Sequence, residues 1–291
     1  MYEKWKGVHT RCAFNMIQEL IPLTRPRTLA ATLGPTILGA AFSYYAFGAA
    51  QGTGLAIFHT MLIFLAVVTA QIVANLWNEY KDFKSGLDAG QKVGNAGSIT
   101  RGVITPELII TMIKVLMFVP IIIGLYLSAT ITWYYIPVGF LCILISFLYS
   151  GGPKPISRTP FGEISSGIAM GFAIVLITGY AWIRELSLAL LIPAIPSTLL
   201  VGSIMLTNNI RDIRNDESHG RHTLPIVLGR ERALSLMSIS YIFNFIWIIA
   251  WIIVGHMTWF ALLAFLAAPL AFKTIHILST NTDEFQLDKA M

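Results

Sequence analysis

Apolar runs of about 18 residues or more recur along this chain of 291 residues, and each is long enough to form a membrane-spanning helix. Only 12% of the residues are charged, against roughly 25% in an ordinary soluble domain. The chain is therefore predicted to be an all-α, polytopic transmembrane bundle with eight spans. The predicted spans are 29–50, 54–77, 107–127, 131–149, 161–181, 187–208, 233–255 and 257–275.

Lys and Arg residues concentrate in alternate loops. The loops 78–106, 150–160 and 209–232, with the two termini, hold nearly all of them. Arg184 lies in one of the other loops, and Lys114 lies within a span. Because positive loops stay on the cytoplasmic side of a membrane, these loops and both termini are predicted to be cytoplasmic, in a cell membrane. The long loops all lie on that face, so the chemistry is expected there.

A weak internal repeat links the two ends of the chain. The second and sixth spans each end in an Asn followed four residues later by an acid, at Asn75 and at Asn208. This repeat predicts two four-helix halves around a cavity open to the cytoplasmic face. We expect a single domain over residues 1–291, in which the mixed apolar and basic residues 1–24 form a cytoplasmic interfacial segment.

The first polar cluster follows the second span. Its members fall within roughly 100° of arc on one helix face, because an α-helix has 3.6 residues per turn. These residues are Asn75, Asn78, Glu79 and Asp82. Gly86 is suited to end the helix, since glycine readily adopts the left-handed conformation found after many helices. Asp88 is then expected to reach in from the following loop.

The second polar cluster follows the sixth span, where Asn208, Asp212 and Asp216 again lie four residues apart. Carboxylates on one face repel each other, and near hydrocarbon their ionisation is costly unless they are paired or metal-bound. A divalent cation resolves that conflict. Mg²⁺ prefers oxygen ligands and commonly takes a few carboxylates together with substrate phosphates. The sequence therefore predicts Mg²⁺ and a diphosphate-bearing substrate.

Basic residues accompany the acids, and such residues can hold phosphate oxygens directly. They are Lys81, Arg101, Lys154, Arg158, Arg211, Arg214 and Arg221. A simpler explanation is that helix ends become polar wherever they meet water. Two clusters at equivalent ends of two spans favour a site. The net charge of +5 is attributed to topology and to attraction for anionic membrane lipid, and no nucleic-acid partner is expected.

Three motifs, in order, resemble signatures of the UbiA superfamily of intramembrane prenyltransferases. The first is Asn-x2-Asn-Glu-Tyr-x-Asp-x3-Gly-x-Asp at 75–88, and a second runs from Tyr149 to Glu163. The third is Asn-Asn-x-Arg-Asp-x3-Asp-x3-Gly-Arg-x-Thr at 208–223. The first and third are most similar to the menaquinone-biosynthesis branch. We call the three the first, middle and last signatures.

The resemblance implies an enzyme that transfers a polyprenyl group from a polyprenyl diphosphate to an aromatic acceptor, which in the menaquinone branch is dihydroxynaphthoate. Family members bind the diphosphate through Mg²⁺ at two Asp-rich motifs. The implied metal ligands here are Glu79, Asp82, Asp212 and Asp216. The implied catalytic residues are Asn75, Asn78, Asp88, Asn208, Asp212 and Tyr149. Tyr149 and Trp77 have ring faces that can stabilise an allylic cation.

Some features depart from the family pattern or leave alternatives open. Glu79 stands where many relatives have Asp, and the family usually continues into a ninth helix after the last span. Other aromatic acceptors, such as 4-hydroxybenzoate or a chlorin, remain possible within the enzyme class. The alternative outside the enzyme class is a cation-coupled transporter. The acids of such a transporter are expected deep within broken spans, whereas the acids of this chain cluster at span ends.

Overall fold

The computed structural model describes residues 20–87 and 97–290, without the side chains of Arg27, Glu284, Phe285 and Lys289. Every regular element in these ranges is helical. The helices are α1 Ala30–Phe47, α2 Thr53–Ser85, α3 Pro106–Thr130, α4 Tyr135–Ser150, α5 Gly162–Ile183, α6 Leu191–Arg211, α7 Ile213–Ser218, α8 Leu224–Leu228, α9 Arg230–Ile253, α10 Trp259–Thr280 and α11 Glu284–Leu287. Short 3₁₀ helices are Pro26–Leu29, Ile156–Arg158, Leu188–Leu190 and Asp288–Ala290.

Six helices of the described part are long and apolar enough to cross a membrane, namely α2, α3, α5, α6, α9 and α10. The predicted all-α transmembrane bundle is confirmed, although eight spans were predicted. Helices also form at the other two predicted spans, the first and the fourth. The helix α1 contains Pro35 and several hydroxyl side chains, which lower its hydropathy, and α4 has only 16 residues.

Large apolar side chains cover the outer surfaces of the long helices. Phe118 of α3 is 63% exposed, Ile239 of α9 is 62% exposed and Leu266 of α10 is 76% exposed. Soluble monomers rarely expose contiguous apolar surface on this scale, because burying it is favourable in water. The same surface is compatible with hydrocarbon, so the chain is a multi-pass membrane protein.

Contacts divide the chain into two compact units. The first combines the residues up to Ala30 with Leu65–Pro155, and the second combines Ala31–Phe64 with the residues from Ile156 onward. The helix α2 contributes its beginning to the second unit and its remainder to the first. This division differs from the two predicted four-helix halves, because the first predicted span groups with the fifth. The cavity between halves and the single domain over 1–291 stay predictions.

Each unit has a buried apolar core beside one polar cluster. In the first unit, Leu76 of α2 packs with Ile99 of the following loop and with Ile109 of α3. In the second unit, Ile210 of α6 packs with Met237 of α9 in a cluster that also contains residues of α10 and α11. These cores hold the C-terminal ends of α2 and α6, where the first and last signatures lie.

Glycines allow close approach of helices within the second unit. A Cβ atom added to Gly39 would lie 2.8 Å from the carbonyl oxygen of Val175, and one added to Gly171 would lie 2.6 Å from Cα of Thr198. Both distances are too short for a carbon atom. Glycine at these two positions therefore permits the close helix packing that is common between membrane helices.

We expect Gly171→Ala to destabilise the protein by about 1–3 kcal/mol, because the added methyl group meets backbone atoms of α6 that cannot move aside. Gly34→Ala is the matched control, since its Cβ would meet nothing within 4 Å. Thermal unfolding in detergent measures both variants. A midpoint for Gly171→Ala equal to that of Gly34→Ala contradicts the close-approach interpretation.

Candidate active site

The first signature begins on α2, which continues well past the predicted end of the second span. The helix ends at Ser85, and Gly86 follows with a φ of +76°, so the predicted helix end is confirmed. All four polar residues of the first cluster therefore lie on one continuous helix. Asp82 is half-buried, and Asp88 lies outside the described residues.

Glu79 is the most enclosed acid of the first cluster. It is 2% exposed, and its two carboxylate oxygens accept backbone hydrogen bonds from Gly97 N at 3.2 Å and Ile99 N at 3.3 Å. Asn75, one turn earlier, donates to the carbonyl oxygen of Thr24 at 3.0 Å. The first cluster thus ties α2 to two segments that precede and follow it. Glu79 has a clear structural role here, and its metal-binding role stays a prediction.

The middle signature contacts the first signature at the end of α4. Ser150 donates a hydrogen bond from its hydroxyl to Oδ1 of Asn78, and both residues lie in the first unit. Tyr149, the residue before Ser150, is half-buried. Two predicted catalytic residues, Asn78 and Tyr149, therefore belong to neighbouring parts of one packed region.

Trp77 has a packing role in this region. Its indole Nε1 donates to the carbonyl oxygen of Phe147 at 3.0 Å, and its ring stacks with Tyr80 at 5.7 Å between centroids. Nζ of Lys81 lies 5.4 Å from the centre of the same ring. A cation already lies over the ring of Trp77, so these contacts favour anchoring over a direct role in the reaction.

Two further predicted phosphate-binding residues of the first unit lie at the surface. Arg101 is exposed and donates from Nη2 to the hydroxyl of Ser98 at 3.2 Å. Lys154 is exposed in the loop after α4. Both side chains are therefore accessible to anions from solvent. Their role in diphosphate binding stays a prediction.

The two aspartates of the last signature are each paired with an arginine from the same signature. Nε and Nη2 of Arg211 donate to the two oxygens of Asp212 at 2.7 and 2.8 Å, and Nη1 donates to Asp288 at 2.9 Å. Nη1 of Arg221 lies 3.3 Å from Oδ1 of Asp216. The predicted carboxylate repulsion is therefore offset within the chain itself.

The middle signature also contacts the last signature, within the second unit. The backbone N–H of His222 donates to the carbonyl oxygen of Arg158 at 3.0 Å. This bond holds the 3₁₀ turn of Arg158 against the loop that carries Arg221. Arg158 is half-buried, as is Asn208 on α6. The first signature is thus hydrogen-bonded to the middle one within the first unit. The last signature is hydrogen-bonded to the middle one within the second unit.

Glu163 and Asn209 form a buried polar contact and were not among the predicted site residues. Nδ2 of Asn209 donates to Oε1 of Glu163 at 2.8 Å, and Glu163 is only 5% exposed. The other oxygen of Glu163 is buried and makes no hydrogen bond with the described residues. A carboxylate at the start of an apolar span is costly, which was the signal available in the sequence.

The donor chemistry fits Mg²⁺, because every predicted ligand offers oxygen. Within the described residues no group of three or more His, Cys, Asp or Glu side chains is placed to hold a metal ion. Mg²⁺ commonly needs only one or two carboxylates in addition to water and phosphate oxygens, so such a group is not required. The predicted ligands are divided between the units, Glu79 and Asp82 in the first and Asp212 and Asp216 in the second.

Sequence comparisons identify related proteins over most of the chain. The profile of the UbiA prenyltransferase family matches residues 33–291. The 1,4-dihydroxy-2-naphthoate octaprenyltransferase of Bacillus subtilis is 37% identical over 262 residues, covering 88% of this chain and 80% of that protein. The Mycobacterium tuberculosis enzyme of the same name is 30% identical over 256 residues, covering 86% and 82%.

Solved structures share the fold at low sequence identity. A UbiA homolog from Archaeoglobus fulgidus bound to GPP and Mg²⁺ has a TM-score of 0.66 and 15% identity, with 94% of each chain covered. An apo UbiA homolog from Aeropyrum pernix K1 has a TM-score of 0.67 and 18% identity, with 90% of this chain and 92% of that chain covered. The likeness establishes a common helical architecture.

We expect Glu79→Gln to loosen the segment 97–101. A glutamine side chain keeps one acceptor oxygen but turns an NH₂ group toward a backbone N–H, and an unsatisfied buried donor costs about 1–3 kcal/mol. Amide hydrogen exchange at Gly97 and Ile99 should therefore become faster. Glu107→Gln, an exposed acid in the first turn of α3, is the control. Equal exchange rates in the two variants contradict the role assigned to Glu79.

Proposed function

The chain belongs to the UbiA prenyltransferase family, and we propose that it transfers a polyprenyl group from a polyprenyl diphosphate to 1,4-dihydroxy-2-naphthoate in menaquinone biosynthesis. The observation that carries this proposal is the 37% identity to the Bacillus subtilis enzyme over 88% of the chain. The three signatures fall within the matched residues, so the similarity includes the polar clusters as well as the apolar helices.

We assign the diphosphate end of the substrate to the polar ends of α2 and α6. Glu79, Asp82, Asp212 and Asp216 are the proposed metal-binding residues, and Mg²⁺ when bound supplies positive charge to the diphosphate oxygens. The proposed cations for the remaining phosphate oxygens are Lys81, Arg101, Lys154, Arg158 and Arg221. Fixed positive charge stabilises the charge that develops on a departing diphosphate. A binding role for Arg211 and Arg214 stays a prediction, since both also line a separate cleft.

The acceptor ring is proposed to attack the allylic carbon as the diphosphate leaves. The carbon–oxygen bond of the prenyl diphosphate breaks, a carbon–carbon bond to the naphthalene ring forms, and the carboxylate of the naphthoate is lost as carbon dioxide. The aromatic face of Tyr149 is the proposed stabiliser of positive charge on the allylic carbon. Asn75, Asn78 and Asn208 are proposed to orient the reacting groups, with Asp88 from the loop.

The orientation of the chain in the membrane is part of the proposal. The Lys and Arg residues of the loops after α2, α4 and α6 support a cytoplasmic location for these loops and for the N-terminus. Soluble dihydroxynaphthoate would then reach the signatures from the cytoplasm, while the prenyl chain stays in the membrane. The cation-coupled transporter is not favoured, since the acids lie at the ends of α2 and α6 instead of deep within broken spans.

Purified protein with labelled prenyl diphosphate, dihydroxynaphthoate and Mg²⁺ should form a product whose mass is that of the acceptor plus the prenyl group, less carbon dioxide. Exhaustive chelation should abolish turnover, and added Mg²⁺ should restore it. The acceptor is tested by replacing dihydroxynaphthoate with 4-hydroxybenzoate under the same conditions. Product with 4-hydroxybenzoate alone overturns the acceptor assignment, and turnover that survives chelation overturns the metal requirement.

A further inference from the structure

A cleft of about 210 Å³ opens beside the end of α6, within the second unit. Four charged side chains line it, and we call it the arginine cleft. They are Arg211, Arg214, Glu217 and Arg230. A single buried water needs only about 10–15 Å³ on a comparable scale, so the cleft has room for a larger polar group.

Arg214 and Glu217, two of the charged residues of the arginine cleft, lie on a different side of the helix from Asp212. At 3.6 residues per turn, Arg214 and Glu217 lie about 140–160° around the axis from Asp212. The backbone bond from Asp216 N to Asp212 O, at 2.9 Å, carries the helical path through this junction. Arg214 and Glu217 therefore face away from Asp212, whereas Arg211 both lines the cleft and pairs with Asp212.

The charge in the cleft is only partly compensated. Arg211 is paired with Asp212 and Asp288. Within the part of the chain that the structure describes, no carboxylate lies within ion-pair distance of Arg214 or Arg230. Among the residues that line the cleft, three arginines face one acid, Glu217, while Asp212 and Asp288 lie on Arg211. Positive side chains that share a cleft repel one another, so a bound anion stabilises them.

The position of Arg230 adds to the attraction for an anion. It is the first residue of α9, a helix of 24 residues, and its guanidinium donates to the carbonyl oxygens of Leu278 and Asn281. These bonds hold the side chain in place at the cleft. The N-terminal end of a long helix carries partial positive charge, which favours a phosphate group nearby.

Apolar side chains complete the wall of the cleft, among them Ile213, Ile226 and Leu287. A bare inorganic ion gains nothing from such a wall, whereas an ester of phosphate with an apolar part can bury that part there. Arginine is suited to phosphate because its planar guanidinium offers two parallel donors. Basic clefts at the polar ends of membrane helices are known to bind phospholipid head groups.

We propose that the arginine cleft binds a phosphate ester at the membrane surface, with Arg214 and Arg230 on the phosphate and the apolar wall beside the ester chain. The phosphate comes from the head group of an anionic phospholipid or from a soluble phosphate compound. The proposal uses none of the acids assigned to the metal, and it gives Arg214 a role in the cleft in place of its predicted role in diphosphate binding.

The test measures phosphate binding by the full-length chain, stripped of lipid in a neutral detergent. Native mass spectrometry counts bound molecules during titration with phosphatidylglycerol, with phosphatidylcholine and with inorganic phosphate. Arg214→Gln should weaken phosphatidylglycerol binding by about fivefold, the effect of one arginine near an anionic lipid surface. Glu217→Gln should tighten it, since the substitution removes the one negative charge of the cleft. Arg230 is left unchanged because it bonds to the backbone.

Arg232→Gln is the matched control, because Arg232 is exposed on the first turn of α9 and does not line the cleft. Its phosphatidylglycerol affinity should equal that of the unchanged chain. If Arg214→Gln weakens the binding of phosphatidylglycerol alone, the ligand is a lipid head group. If it also weakens the binding of inorganic phosphate, the site accepts soluble phosphate compounds as well. Both results support the site. Equal effects of Arg214→Gln and Arg232→Gln, or no effect of Arg214→Gln and Glu217→Gln, overturn the proposal.

Discussion

A carboxylate at the end of an apolar helix needs a compensating partner, and the arrangement of the candidate site depends on this constraint. Two backbone N–H groups compensate Glu79, and Asp212 is paired with Arg211. Arg221 compensates Asp216. These partners all belong to the chain itself, so Glu79, Asp212 and Asp216 are held in place before any cation or substrate binds.

Features set by short-range periodicity could be predicted from the sequence. The apolar runs identified the helices, and the left-handed conformation of Gly86 ended α2 where expected. The shared faces of the polar residues also followed from their spacing. Partners distant in the sequence could not be predicted in this way. Asp288 pairs with Arg211 across 77 positions, and the bond of Asn209 to Glu163 depends on how α5 packs against α6.

The basic residues illustrate the same limit at the level of function. Their nearness to acids in the sequence predicted a common role in diphosphate binding. The structure gives them different surroundings, because Arg221 pairs with Asp216 while Arg214 lines the arginine cleft. Lys81 lies over the ring of Trp77. Sequence spacing therefore predicts which segments are polar, whereas three-dimensional packing determines the contact partners of each charged side chain.

The central claim is that the acids of the first and last signatures act together on one substrate. Its most direct test is the prenyl-transfer rate at saturating substrate for Asp82→Asn, Asp212→Asn and the double variant. Residues that act as a unit give strongly non-additive losses, so each single variant should lose at least about 100-fold and the double should lose little more. Asp288→Asn, which removes the other carboxylate on Arg211, controls for loss of that ion pair and should keep its rate. Near-normal turnover in either single variant, or losses that multiply in the double, would contradict the claim.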